Sequence, residues 1–155
     1  MFTRIIAIFL CLIFISHVPA GAMQSASEST LASVRRGDAA SRDANGKLQK
    51  LPPAEHMRRA AVYLSVRAFA EARDHWQTLI DNYPDDPRVP EAMLGIGRSY
   101  FLGKIYEDGY KVFNELAEKY IATKEGREAL NYSAASLLRM GRFDDSAARY
   151  TEYVE

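Results

Sequence analysis

The sequence predicts an all-α fold in which antiparallel helical hairpins stack into a short solenoid. Three observations predict it. First, one stretch returns at a fixed step: Phe69, Tyr106 and Phe143 stand 37 residues apart, as do Trp76, Phe113 and Tyr150, and Leu79, Leu116 and Tyr153. Ala72, Gly109 and Ser146 keep the same step. A regular recurrence of this length is the mark of a stacked repeat, whose units bury their apolar faces on one another. Second, apolar residues from Ala54 onward recur at helical spacing. Third, the links between partner helices are short, which forces antiparallel neighbours.

The elements follow in order. Helices are expected over Ala54–Arg67, Phe69–Tyr83, Pro90–Leu102, Tyr106–Tyr120, Lys124–Met140 and Phe143–Glu155. They group into hairpins at residues 54–89, 90–123 and 124–155, the last being an incomplete copy. Two links contain Gly103-Lys104 and Gly141-Arg142. Pro84 ends a helix because proline lacks the N–H that a helix interior needs, and Pro90 starts one because the first turn tolerates it. The boundary from Tyr120 to Gly126 has no proline and is softer. Ala60, Gly97 and Ala134 are small where partner helices would touch, while Tyr63, Tyr100, Trp76, Phe113 and Tyr150 would fill the space between hairpins. Gly95 and Gly109, inside helices, should each cost about 1 kcal/mol relative to Ala; Gly109 falls in a small slot of the repeat, whereas Gly95 has no such account.

Two segments precede the repeats. Residues 1–22 show the order of a secretory signal: one early charge at Arg4, an apolar run from Ile5 to Ile15, then Ala20-Gly21-Ala22 as a small-residue cleavage site. The run is too short to span a bilayer, which takes about 20 residues. Cleavage would leave no membrane span and no cysteine, since Cys11 lies inside the run. Residues 23–53 are rich in small and polar residues with only Leu31, Val34 and Leu48 as scattered apolar positions, and read as a flexible polar linker.

Composition excludes several functions. Lys plus Arg and Asp plus Glu are 20 each, so the footprint of a nucleic-acid binder is missing. His56 and His75 stand on different expected helices without a neighbouring carboxylate pair and read as packing or solvated residues. No catalytic set, cofactor loop or metal-ligand spacing emerges: Gly95-x-Gly97 lies inside a helix, and Gly103-Lys104 is followed by Ile105. The carboxylate pairs Glu107-Asp108 and Asp144-Asp145 open helices, where negative charge suits the dipole. The reading is a non-enzyme without cofactors.

The second copy resembles the tetratricopeptide repeat (TPR): Met93-x2-Ile96-Gly97-x2-Tyr100, then Gly109-x3-Phe113, with Ile121 in the place of the closing proline. His56, Arg59, Ala60, Tyr63, Ala72, Trp76 and Pro84 form the first set, and Leu130, Ser133, Ala134, Leu137, Ser146 and Tyr150 the third. Arg59 and Ser133 are polar in an apolar slot, and the step of 37 exceeds the family's 34. The wording Tyr83-Pro84-Asp85-Asp86-Pro87 is similar to repeats of bacterial cell-envelope proteins, such as the Bam-complex assembly lipoprotein and the Tol-Pal coordinator. The resemblance implies a right-handed TPR solenoid whose first helices line a concave groove, in an exported protein of the periplasm or cell envelope. The groove would carry Met57, Leu64, Leu94, Phe101 and Leu138 as an apolar floor, with Arg98, Asn131 and Arg139 available for hydrogen bonds. Its implied partner is a peptide or another envelope protein, with self-association through the C-terminal helix a further expectation. Soluble lytic transglycosylases also carry helical repeats ahead of a catalytic domain, so a non-catalytic region of such an enzyme is the alternative.

Overall fold

The computed structural model describes the backbone of residues 20–154 and the side chains of residues 28–152. Seven helices follow one another: α1 (Ala20–Ala40), α2 (Pro53–Ser65), α3 (Phe69–Asn82), α4 (Val89–Leu102), α5 (Tyr106–Tyr120), α6 (Lys124–Arg139) and α7 (Phe143–Val154). Each packs on its predecessor, and α4 also packs on α6. This is the expected all-α repeat array. Among the described residues the only β pairing is an isolated bridge between Arg42 and Leu48.

Local chemistry sets the ends. Pro53 opens α2, and Pro90 occupies the first turn of α4. The softer boundary is closed by Thr123, whose hydroxyl accepts from the Gly126 N–H at 3.0 Å and caps α6. Each hairpin turn contains one residue in the left-handed region: Arg67 (φ 60°), Lys104 (φ 62°) and Gly141 (φ 77°). These also lie 37 apart, so the repeat extends to backbone conformation. Only the third copy places glycine where that conformation costs least, because Gly103 stands one residue before the turn position.

The core runs through the array as Ala60, Tyr63, Ala72, Trp76 and Leu79, then Ile96, Phe113 and Leu116, then Ala129 and Leu130. Gly97 receives the Phe113 ring, since a Cβ there would lie 2.4 Å from Cε1. Phe113 in turn stacks on Tyr132 of the next hairpin, with centroids 4.9 Å apart. Gly95 is explained likewise: its missing Cβ makes room for the Trp76 indole. Gly109 is the less constrained of the two, because a Cβ there would meet its neighbours at an ordinary 3.5 Å. The polar slots are satisfied. Ser133 donates to Leu130 O at 2.9 Å and accepts from Arg149 Nε at 3.1 Å.

Residues 23–53 correct the expectation of a flexible linker. Most of α1 lies in them, and α1 packs on α2. Val34 and Leu48 are buried. Residues 41–51 fold back along α3, with Arg42 paired to Asp74 at 3.1 Å and Tyr83 donating to Leu51 O at 3.0 Å. Apolar area alone would not order so polar a segment, but buried charge-assisted hydrogen bonds to the first hairpin add the missing attachment. The signal expected at residues 1–22 lies outside the described residues except for its last three positions, which begin α1. Among the described residues no helix is long and apolar enough to cross a membrane.

Candidate partner-binding groove

Helices α2 and α4, the first helices of adjacent hairpins, flank a cleft of about 440 Å³. Met57, Ala61 and Leu64 come from α2, one helical turn apart, and Glu91, Leu94 and Arg98 from α4 at the same spacing. Trp76 and Gly95 reach its floor. The position of each wall follows from the core: with Ala60 and Tyr63 turned inward against α3, the residues next to them must face the other way. The cleft is apolar at the bottom and charged at the rim, with Arg98 and Glu91 exposed.

Four of the eight residues singled out from sequence, Met57, Leu64, Leu94 and Arg98, meet in this cleft. Leu94 is buried and forms the floor instead of projecting. The other four are not among its lining. Phe101 is taken up in packing, edge-on to Tyr106 at 5.4 Å and to Tyr132 at 5.7 Å. Asn131 is half-buried on α6, while Leu138 and Arg139 are exposed near its C-terminal end. Arg98 lies 6.0 Å from the Tyr132 ring centroid and is the link between the cleft and that aromatic group.

A second, buried polar cluster was not found from sequence. Asp38 of α1, His56 and Tyr63 of α2, and His75 of α3 are all at least nine-tenths buried. Tyr63 donates to Asp38 Oδ2 at 2.6 Å, Arg59 Nη1 donates to Asp38 Oδ1, and His75 Nε2 lies 3.0 Å from Asp38 Oδ2. His56 Nδ1 and His75 Nδ1 are 3.0 Å apart, and the Leu51 N–H donates to His56 Nε2 at 3.3 Å. That last bond assigns every proton. A backbone N–H can only donate, so neutral His56 carries its proton on Nδ1 and gives it to His75 Nδ1. His75 then carries its own on Nε2 and donates to Asp38. Burial alone would raise the Asp38 pKa, but the hydrogen bonds from Tyr63, His75 and Arg59 outweigh it and hold the group ionised. Burial, with His75 and Arg59 adding, pushes His56 down to about 4. Burial also lowers His75, against the pull of Asp38.

One sequence signal pointed here. Arg59 is polar in a slot that is Ile96 in the second copy, because it faces Asp38 of α1 where Ile96 faces core. With its histidines enclosed and hydrogen-bonded to protein groups, the cluster joins α1, α2 and α3. Among the described residues no group of three or more His, Cys, Asp or Glu has metal-binding geometry.

Residues 91–120 match the family model of the tetratricopeptide repeat. The match spans α4 from its third residue and all of α5, the copy in which the sequence pattern is most complete. It supports a tetratricopeptide-repeat protein. Among curated proteins none matches the chain. Stacked TPR hairpins generally act by holding other proteins, using the extended surface that the stacking creates.

Proposed function

We propose that this protein is an exported adaptor that binds a peptide segment of another cell-envelope protein along its first-helix groove. The observation that carries the proposal is the cleft between α2 and α4, where an apolar floor of Met57, Leu64 and Leu94 lies beside exposed Arg98 and Glu91. A concave site with an apolar base and a few polar groups at its edge suits an amphipathic segment, which would seat its apolar side chains and be oriented by the charges. Export rests on the order of charged, apolar and small residues over positions 1–22. The envelope setting rests on the likeness of the Tyr83–Pro87 segment to repeats of that class.

The test is photo-crosslinking in intact cells from a reactive residue placed at Ala61, which is exposed on the wall of the cleft. Recovery of one envelope protein, lost on Arg98→Glu but kept on Lys111→Glu in α5, is the expected result. Equal recovery from Ala61 and from a position on α5, insensitive to Arg98→Glu, would remove the groove as the site. Adducts confined to cytoplasmic proteins would remove export.

A further inference from the structure

The Asp38–His75–His56 chain has three links and no spare acceptor. Leu51 N–H gives to His56, His56 gives to His75, and His75 gives to Asp38. A proton added to either ring must land on a nitrogen that already accepts one. On His75 Nδ1 it would face the His56 N–H. If His56 first reversed its tautomer, its new Nε2–H would face the Leu51 N–H. Either way two donors confront each other in a buried site, so one link breaks.

Residues 28–51 enclose this chain and touch it at two points: Asp38 receives His75 as well as Tyr63 and Arg59, and the Leu51 N–H reaches His56. Among residues 28–40 only Val34 and Asp38 are buried, and Asp38 is the one that crosses to both α2 and α3. Residues 41–51 are tied at their far end by the Leu51 N–H bond to His56 and by the Tyr83 hydroxyl. The second and third hairpins contain no histidine at all; the third histidine of the sequence is His17. Among the described residues the histidines are therefore confined to this one junction.

We propose that the histidine pair is an acid-sensitive latch: protonation frees α1 and residues 41–51 from the first hairpin while the second and third hairpins stay folded, uncovering the outer face of α2 and α3. Charged groups around the pair come from every packed element. Asp38 and Arg35 belong to α1, with Arg35 acting through Tyr63. Glu55 and Arg59 lie on α2, and Glu71 and Asp74 on α3. Asp38, Glu55 and Asp74 favour the charged ring, Arg59 opposes it, and burial outweighs them all.

The direction of the pH effect follows. His56 titrates near 6.5 when exposed and near 4 when held, so the closed state binds fewer protons. Its contribution to closure is complete above about pH 6.5 and fades as pH falls towards 4. At about pH 5 one such ring shifts the opening equilibrium at least about tenfold towards release.

The experiment is hydrogen exchange by mass spectrometry on the full chain at about pH 7.5 and about pH 5, with times scaled for intrinsic exchange. Residues 28–51 should lose about tenfold or more of their protection at the lower pH while α4 to α6 keep theirs, and His56→Gln/His75→Gln together should abolish the difference. Equal protection of residues 28–51 at both pH values would overturn the proposal. So would loss of protection in α4 to α6 in parallel, which is plain acid unfolding, or a full pH response in the double variant. If that variant does not fold, imidazole nitrogen NMR of the wild-type chain decides. His56 must show the Nδ1–H form and His75 the Nε2–H form at neutral pH, with both lost over the interval in which exchange rises; any other tautomer pair, or titration without a change in exchange, rejects the latch.

Discussion

The indole of Trp76 on α3 occupies the notch left by Gly95 on α4, and this contact joins the first hairpin to the second. A Cβ on Gly95 would stand 2.5 Å from Trp76 Cε2 and 2.6 Å from Cζ2. Trp76 is itself buried among the core side chains, so its ring can yield only by disturbing that packing. Gly95→Ala should therefore destabilise the array by about 1–3 kcal/mol, although alanine is the better helix former. Urea unfolding followed by fluorescence of this sole tryptophan would measure it. An unchanged midpoint would mean that the contact is looser than described.

Gly109 on α5 should behave in the opposite way. A Cβ there finds the Gly97 oxygen, the Phe101 nitrogen and Tyr100 Cβ all at 3.5 Å, ordinary contact. Gly109→Ala then gains helix propensity without a clash, raising stability by up to about 1 kcal/mol. The same unfolding curve reads it, and a lower midpoint would contradict the packing.

At Lys104 the backbone sits at φ 62°, where a side chain is strained, while its counterpart in the third copy is Gly141. Lys104→Gly should stabilise the second hairpin by about 0.5–1 kcal/mol, the relief of strain exceeding the entropy cost of glycine. The midpoint of thermal unfolding should rise. Arg67 is the less clean site, because its guanidinium also donates to Leu102 O at 3.3 Å and lies over the Phe69 ring.

Asp38 holds three donors at once, so Asp38→Asn leaves Arg59, Tyr63 and His75 competing for one neutral amide. A loss of about 3 kcal/mol is expected, the lower end of the range for breaking a buried pair. Arg59 keeps Glu55 at 2.6 Å, which limits the loss. Proteolysis should then cut within residues 28–51 before the hairpins, which gel mapping of the first fragments would show. A first cut within α4 to α6 would place the weak point elsewhere.

The six repeat helices were legible because their determinants are local. Apolar residues at helical spacing, proline at helix starts and a step of 37 carry over to structure without long-range information. The predicted and observed α5 coincide at Tyr106–Tyr120. Half of the candidate groove was legible for the same reason: once one face of α2 and α4 is committed to the core, the opposite face is fixed by the helical period. Phe101 does not line the cleft, because an aromatic residue on that face can either line a groove or pack on the next hairpin, and the choice rests with Tyr132, some 30 residues on.

By itself the sequence determined the all-α class, the hairpins and the register of their cores. Only the tertiary structure decided that residues 28–51 are ordered, that Gly95 makes room for Trp76, and that Asp38, His56 and His75 form one chain of hydrogen bonds. Those residues lie 18, 19 and 37 positions apart. No periodic pattern links them, and each becomes intelligible only when three helices bring them within hydrogen-bond distance in a space closed to water.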